Sequence, residues 1–149
     1  MTPLAGHDRA TTEIALARVL LVDDEITSRL TLQTVLRAGG YWVDVAATAA
    51  EAFEKLDDGQ YDLVLSDLRM ESADAGLKVL AHARMKDYKP ATALITSYHQ
   101  SPAKKQPSPR PEEIFVEMEG IPALLSKVAD LIGLRASRRV ERMLRQSTA

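Results

Sequence analysis

Three aspartates carry the chemistry this sequence can offer. Asp23 and Asp24 follow the apolar run Val19–Val22, and Asp67 follows the run Leu63–Ser66. If the two runs are neighbouring parallel strands, three carboxylates converge at one rim of a sheet. Carboxylates held that close repel one another unless a cation lies among them. Hard oxygen ligands of this kind suit Mg2+ better than a soft metal. The pattern points to a divalent-cation site beside an Asp that could accept a phosphoryl group.

The elements needed to position those groups are legible in the patterning. Val19–Val22, Tyr41–Ala46, Asp62–Ser66, Ala91–Thr96 and Ile114–Met118 read as strands. Thr27–Ala38 reads as a helix with Leu30, Leu32, Val35 and Leu36 on its apolar side, stopped by Gly39-Gly40. Thr48 and Glu51 form a capping box that opens a second helix through about Leu56, and Asp57-Asp58-Gly59 reads as a turn. Gly76–Met85 is a third helix with Leu77, Leu80 and Ala81 inward. Pro122 suits the first turn of a last helix running to about Leu131, with Leu124, Leu125, Val128, Leu131 and Ile132 as its core side. Strands alternating with helices imply an α/β domain, a doubly wound parallel sheet covered on both faces. Ligands of such folds bind beyond the C-terminal strand ends, which is where the aspartates stand.

Composition excludes several classes. The 149 residues suffice for one domain with a real core. With no cysteine, disulfides, thiolate catalysis and Cys-based metal sites are all ruled out. His7, His82 and His99 lack ligand spacing and read as surface or half-buried histidines. A net charge of −2 makes no general case for nucleic acid. No run reaches the roughly 18 apolar residues of a membrane helix, and Met1–Arg18 lacks a signal-peptide core. A cytoplasmic location with no membrane association is the expectation.

Four segments resemble a response-regulator receiver domain of two-component signalling. They are Val19-Leu20-Leu21-Val22-Asp23-Asp24-Glu25, Leu63–Met70, Gly76–Leu80 and Ala93–Ser97, within a span of about Arg18 to Leu134. Asp67 lies 43 residues after Asp24, and Thr96 lies 29 residues after Asp67. The resemblance implies a five-stranded sheet in flavodoxin-like order 2-1-3-4-5. It implies Asp67 as phosphoacceptor and Thr96 as the switch hydroxyl. Asp23 and Asp24, with Asp67 and the backbone carbonyl of Arg69, would be ligands of Mg2+. Its implied partners are a sensor histidine kinase or phosphotransfer protein and an unknown downstream protein, with a homodimer left open. It also implies a signalling protein rather than an enzyme, with at most Mg2+-dependent self-phosphorylation and self-dephosphorylation. Thr96 equally suits a strand by its β propensity alone.

The sequence departs from that family in three places. The Lys expected at the end of the fifth strand is missing, because Glu117, Met118 or Glu119 falls there. Lys104 or Lys105 could substitute from a neighbouring loop, or both could be solvated. Pro102, Pro107, Pro109 and Pro111 break the segment of the family's fourth helix, which should be short or absent. Phe115 and Tyr98 are alternative aromatic switch residues. The loop after Asp67 lacks the family's usual Pro, and the resemblance implies that Arg69 and Tyr98 occupy positions influencing water access to the phosphoryl group.

Residues 1–17 read as an extension, 18–134 as the receiver domain and 135–149 as a basic tail. The tail carries five Arg against one Glu over Arg135–Arg145, and Val140, Met143 and Leu144 share a helical face. It reads as a solvated extension of the last helix, a docking helix or a phosphate-contacting arm. The missing Lys keeps a second function open, that of a degenerate receiver binding partners without phosphorylation. A third, a haloacid-dehalogenase-like phosphatase, needs an Asp where Glu25 stands.

Overall fold

The computed structural model describes residues 17–68, 70–97, 113–116 and 120–148. The apolar runs form five strands, β1 (Arg18–Val22), β2 (Trp42–Ala46), β3 (Leu63–Asp67), β4 (Ala91–Ser97) and β5 (Glu113–Val116). Among the described residues, four helices lie between and after them, α1 (Ile26–Ala38), α2 (Ala49–Asp58), α3 (Ala75–Arg84) and α4 (Ile121–Thr148). The strands form one parallel sheet in the order β2-β1-β3-β4-β5. Tyr98, Lys104, Lys105, the proline-rich segment, Arg69 and Glu117–Glu119 lie outside the described residues, as does the N-terminal extension through residue 16.

Alternation along the strands divides the core in two. Val19, Leu21, Leu63, Leu65, Ala93 and Ile95 pack with Leu32 and Leu36 of α1 and with Leu124, Val128 and Leu131 of α4. Leu20, Val22, Val64 and Leu94 face the other way. They meet Ala49, Ala52 and Leu56 of α2 and Val79, Leu80 and Ala83 of α3. The central strands are therefore apolar on both faces, as a covered parallel sheet requires.

The helices differ from the sequence reading in instructive ways. In α3, Leu77 and Ala81 face solvent, and the buried set is Ala75, Gly76, Val79, Leu80 and Ala83. Gly76 packs directly on the end of β3, and that contact sets the rotation of the helix. Leu30 is likewise exposed, leaving Leu32 and Leu36 as the buried residues of α1. Asp57 and Asp58 do not make a turn: they end α2, where Asp57 accepts hydrogen bonds from Lys86 and His82. The last helix does not stop near Leu131 but continues as one helix of 28 residues. Arg135 fastens its middle to the domain, donating to Asp62 Oδ1 at 2.8 Å, Lys89 O at 2.9 Å and Tyr88 O at 2.7 Å.

Candidate phosphoacceptor and metal site

The register places the acids. Val22 pairs with Ala46 on one side and Ser66 on the other, so one further residue along each strand sets Asp23 level with Asp67. The backbone N–H of Asp23 donates to Ala46 O at 3.0 Å, carrying the β1–β2 ladder one step past the strand. Asp23 itself is buried, at 4 % exposure. A buried carboxylate is tolerated only with hydrogen-bond partners. Its Oδ1 accepts from the Glu25 N–H at 3.0 Å, and its Oδ2 accepts from Ser28 Oγ at 2.6 Å.

The start of α1 supplies those partners. Glu25 is the N-cap, and its side chain accepts from the Ser28 N–H at 2.7 Å. Ser28 thus donates its amide to Glu25 and its hydroxyl to Asp23. The Arg29 guanidinium donates to Asp23 O at 2.8 Å, placing a positive charge against the acidic turn. A helix start at Thr27 misses Glu25 as the N-cap and so gives Ser28 and Arg29, inside the first turn, no part in the site. The usable signal was an acidic N-cap with Ser three residues on.

Asp67 ends β3 and is half-buried. Leu68 N–H donates to Ile95 O at 3.3 Å, and Ser66 Oγ donates to Asp67 O at 3.0 Å. Gly76 N–H donates to Leu68 O at 3.1 Å, closing the loop after Asp67 onto α3. Within that loop, Glu71 accepts the Ala49 N–H at 3.0 Å and so caps the first turn of α2. Nothing in the sequence pairs residues 22 apart across a strand, so this tether came only from the fold.

The structure brings Asp23, Asp24 and Asp67 together: one carboxylate oxygen from each lies within 4.8 Å of the others. An octahedral Mg2+ with bonds of about 2.1 Å holds adjacent oxygens about 3.0 Å apart and opposite ones about 4.2 Å. Asp24 is exposed, so water can complete the shell, as Mg2+ prefers. The donor set and its openness therefore fit this ion. Thr96 lies on β4 one residue beyond Ile95, the register partner of Asp67, and pairs with Phe115 on β5.

Residues 19–107 match the family described as "Response regulator receiver domain". The chain belongs to the response regulator receiver domain family. It is 35% identical over 80 residues to the transcriptional regulatory protein ZraR of Klebsiella oxytoca, a match covering 54% of this chain and 18% of that protein. The chain thus spans a minor part of the curated relatives it matches. The response regulator protein TrrA of Thermotoga maritima, solved in complex with Mg(2+)-BeF, is 31% identical with a TM-score of 0.64, covering 78% of this chain and 99% of that one. A receiver protein of Sinorhizobium medicae is 26% identical with a TM-score of 0.64, over 79% of this chain and 95% of that one. Receiver domains interact with histidine kinases or phosphotransfer proteins. In this receiver domain no described helix is long and apolar enough to cross a membrane.

Proposed function

We propose that this receiver domain accepts a phosphoryl group on Asp67 from a phosphohistidine of a sensor histidine kinase or phosphotransfer protein, and so changes the surface it offers a downstream protein. The observation that carries the reading is the convergence of the Asp23, Asp24 and Asp67 oxygens within 4.8 Å. An Asp67 carboxylate oxygen attacks phosphorus, and the P–N bond to the donor imidazole breaks. The imidazole leaves with the electron pair and is protonated. Asp67 then carries a mixed anhydride. Water attack at that phosphorus returns the carboxylate and releases inorganic phosphate, so the domain turns over no separate substrate.

Asp23, Asp24 and Asp67 would hold Mg2+, with the Arg69 carbonyl as a further ligand. The TrrA complex, in a relative 31% identical, supports that assignment. Bound there, Mg2+ supplies positive charge to the phosphoryl oxygens. The protein's own part is orientation. Ser28 and the Glu25 N–H hold the Asp23 carboxylate in one direction, and the Arg29 charge offsets part of the acidic field. Thr96 is assigned the switch: its hydroxyl would donate to the phosphoryl group, coupling chemistry to the loop beyond β4.

The test is incubation with Mg2+ and a small acyl-phosphate donor, read by intact mass. Wild type should gain one base-labile phosphoryl group, and Asp67→Asn none. No phosphate on either would favour a phosphorylation-independent binding module. Hydrolysis of a phosphate ester that survives Asp67→Asn would replace both readings with a phosphatase.

A further inference from the structure

A second charged feature lies at the other end of the sheet. Arg84, Lys89, Pro90, Ala91, Arg135, Arg138 and Arg142 wall a hollow of about 210 Å³. Ala91 opens β4, four residues before Ile95, the register partner of Asp67. At about 3.3 Å per residue the hollow is roughly 13 Å along the strand from the acidic rim.

Five of its seven lining residues are cations, and none is an acid. Arg135 is spent on the fold, through Asp62 and two carbonyls. Arg84 donates to the Thr92 hydroxyl at 3.2 Å, which leaves its charge uncompensated. Among the described residues, Arg84, Lys89, Arg138 and Arg142 form no ion pair. Arg138 and Arg142 stand at i and i+4 on α4, where like charges repel. Burial lowers the Arg135 pKa; Asp62 opposes that, and Arg139 and Arg142 add to it.

The backbone here is also unusual. Lys89 is the sole described non-glycine residue with positive φ, at 47°, and it precedes Pro90. A residue before proline ordinarily takes an extended conformation, so this position is strained. The Arg135 bonds to Tyr88 O and Lys89 O hold it and keep Lys89 on the wall of the hollow.

We propose that this hollow binds a small ligand carrying two or more adjacent phosphate groups. The volume exceeds the roughly 10–15 Å³ that one water needs and falls below the roughly 300 Å³ of a drug-sized pocket. Planar guanidinium groups on one helix face match phosphate oxygens bidentately, which a carboxylate-free wall permits without competition. Nothing in this site draws on the aspartates, so the proposal stands apart from phosphorylation of Asp67.

The experiment titrates inorganic pyrophosphate into the full chain by calorimetry, with EDTA present so that no metal at the acidic rim contributes. Saturable one-site binding is expected, weakened about tenfold or more in Arg138→Gln/Arg142→Gln. Both residues are exposed and repel each other, so the variant should melt no lower than wild type and should still be phosphorylated on Asp67. Orthophosphate should bind at least about tenfold more weakly than pyrophosphate, since it satisfies fewer of the cations. Absence of saturable binding, or binding unchanged in the double variant, overturns the proposal. So does duplex DNA that binds through these arginines and is not displaced by pyrophosphate, which would make the face a nucleic-acid surface.

Discussion

The carbonyl oxygen of Asp67 lies where a side chain on Gly76 would have to go. A Cβ built at Gly76 would fall 2.2 Å from that oxygen and 2.8 Å from Leu68 Cα. These are backbone atoms at the end of β3, and they cannot swing aside as a side-chain tip could. Gly76 therefore lets α3 pack against the strand that presents Asp67, and Gly76→Ala would push the two apart. We expect a stability loss of about 2–3 kcal/mol in urea unfolding, together with slower phosphorylation. A variant as stable as wild type would show that the contact is relaxed at no cost.

The acidic cluster should be destabilising without metal. In EDTA, Asp24→Asn or Asp67→Asn should match or exceed wild-type stability, because each removes one of three mutually repelling charges. Added Mg2+ should then raise the wild-type melting temperature and do so far less in the variants. At a hundredfold excess over the dissociation constant the wild-type gain is about 2.7 kcal/mol. Equal responses to Mg2+ in all three proteins would remove the aspartates from the metal site.

Ser28 should matter more than its place on a helix suggests. Its hydroxyl is 2.6 Å from Asp23 Oδ2. Ser28→Ala leaves a buried carboxylate short of one donor, at a cost of about 1.5–3 kcal/mol. Magnesium affinity should fall too, because Asp23 loses its fixed direction. Unfolding curves and a Mg2+ titration read the two effects separately.

Arg135 should behave as part of the domain. Its guanidinium bonds Asp62 and the carbonyls of Tyr88 and Lys89. Arg135→Ala should cost about 2–4 kcal/mol by urea unfolding. Arg135→Lys should recover little, since an ammonium cannot reach three acceptors in a fork. A neutral Arg135→Ala would mean that α4 beyond Leu134 is not tied to the body of the fold.

Acid should loosen the junction of α2 and α3. The Lys86 and His82 hydrogen bonds hold the Asp57 carboxyl below its ordinary value. A folded-state pKa that is depressed contributes stability above the unfolded value, near 3.9, and loses it as pH falls through the folded value. Wild type should therefore lose stability more steeply than Asp57→Asn below about pH 4. Parallel stability profiles would show that the contact has no energetic weight.

Much of this site was legible in the linear chain. The period-two and apolar runs located the five described strands, and β1 and β3, covered on both faces, carry no acid until they end. That made Asp23 and Asp67 conspicuous, each the first acid after a buried run, with Asp24 directly behind Asp23. The rotation of α3 was not legible, since Leu77 and Val79 are equally apolar. The close approach of Gly76 to Asp67 decided between them.

What the amino-acid order settled alone was where the strands and the bodies of the helices fall and which three acids follow the apolar runs, because these follow from local burial and charge. What only the tertiary structure decided were the partners that cross the chain. Ser28 on Asp23 spans the turn from β1 into α1. Glu71 on Ala49 and Arg135 on Asp62 join residues 22 and 73 positions apart. Such contacts depend on how twisted strands and packed helices bring distant backbone together, and no local preference of a residue encodes that distance.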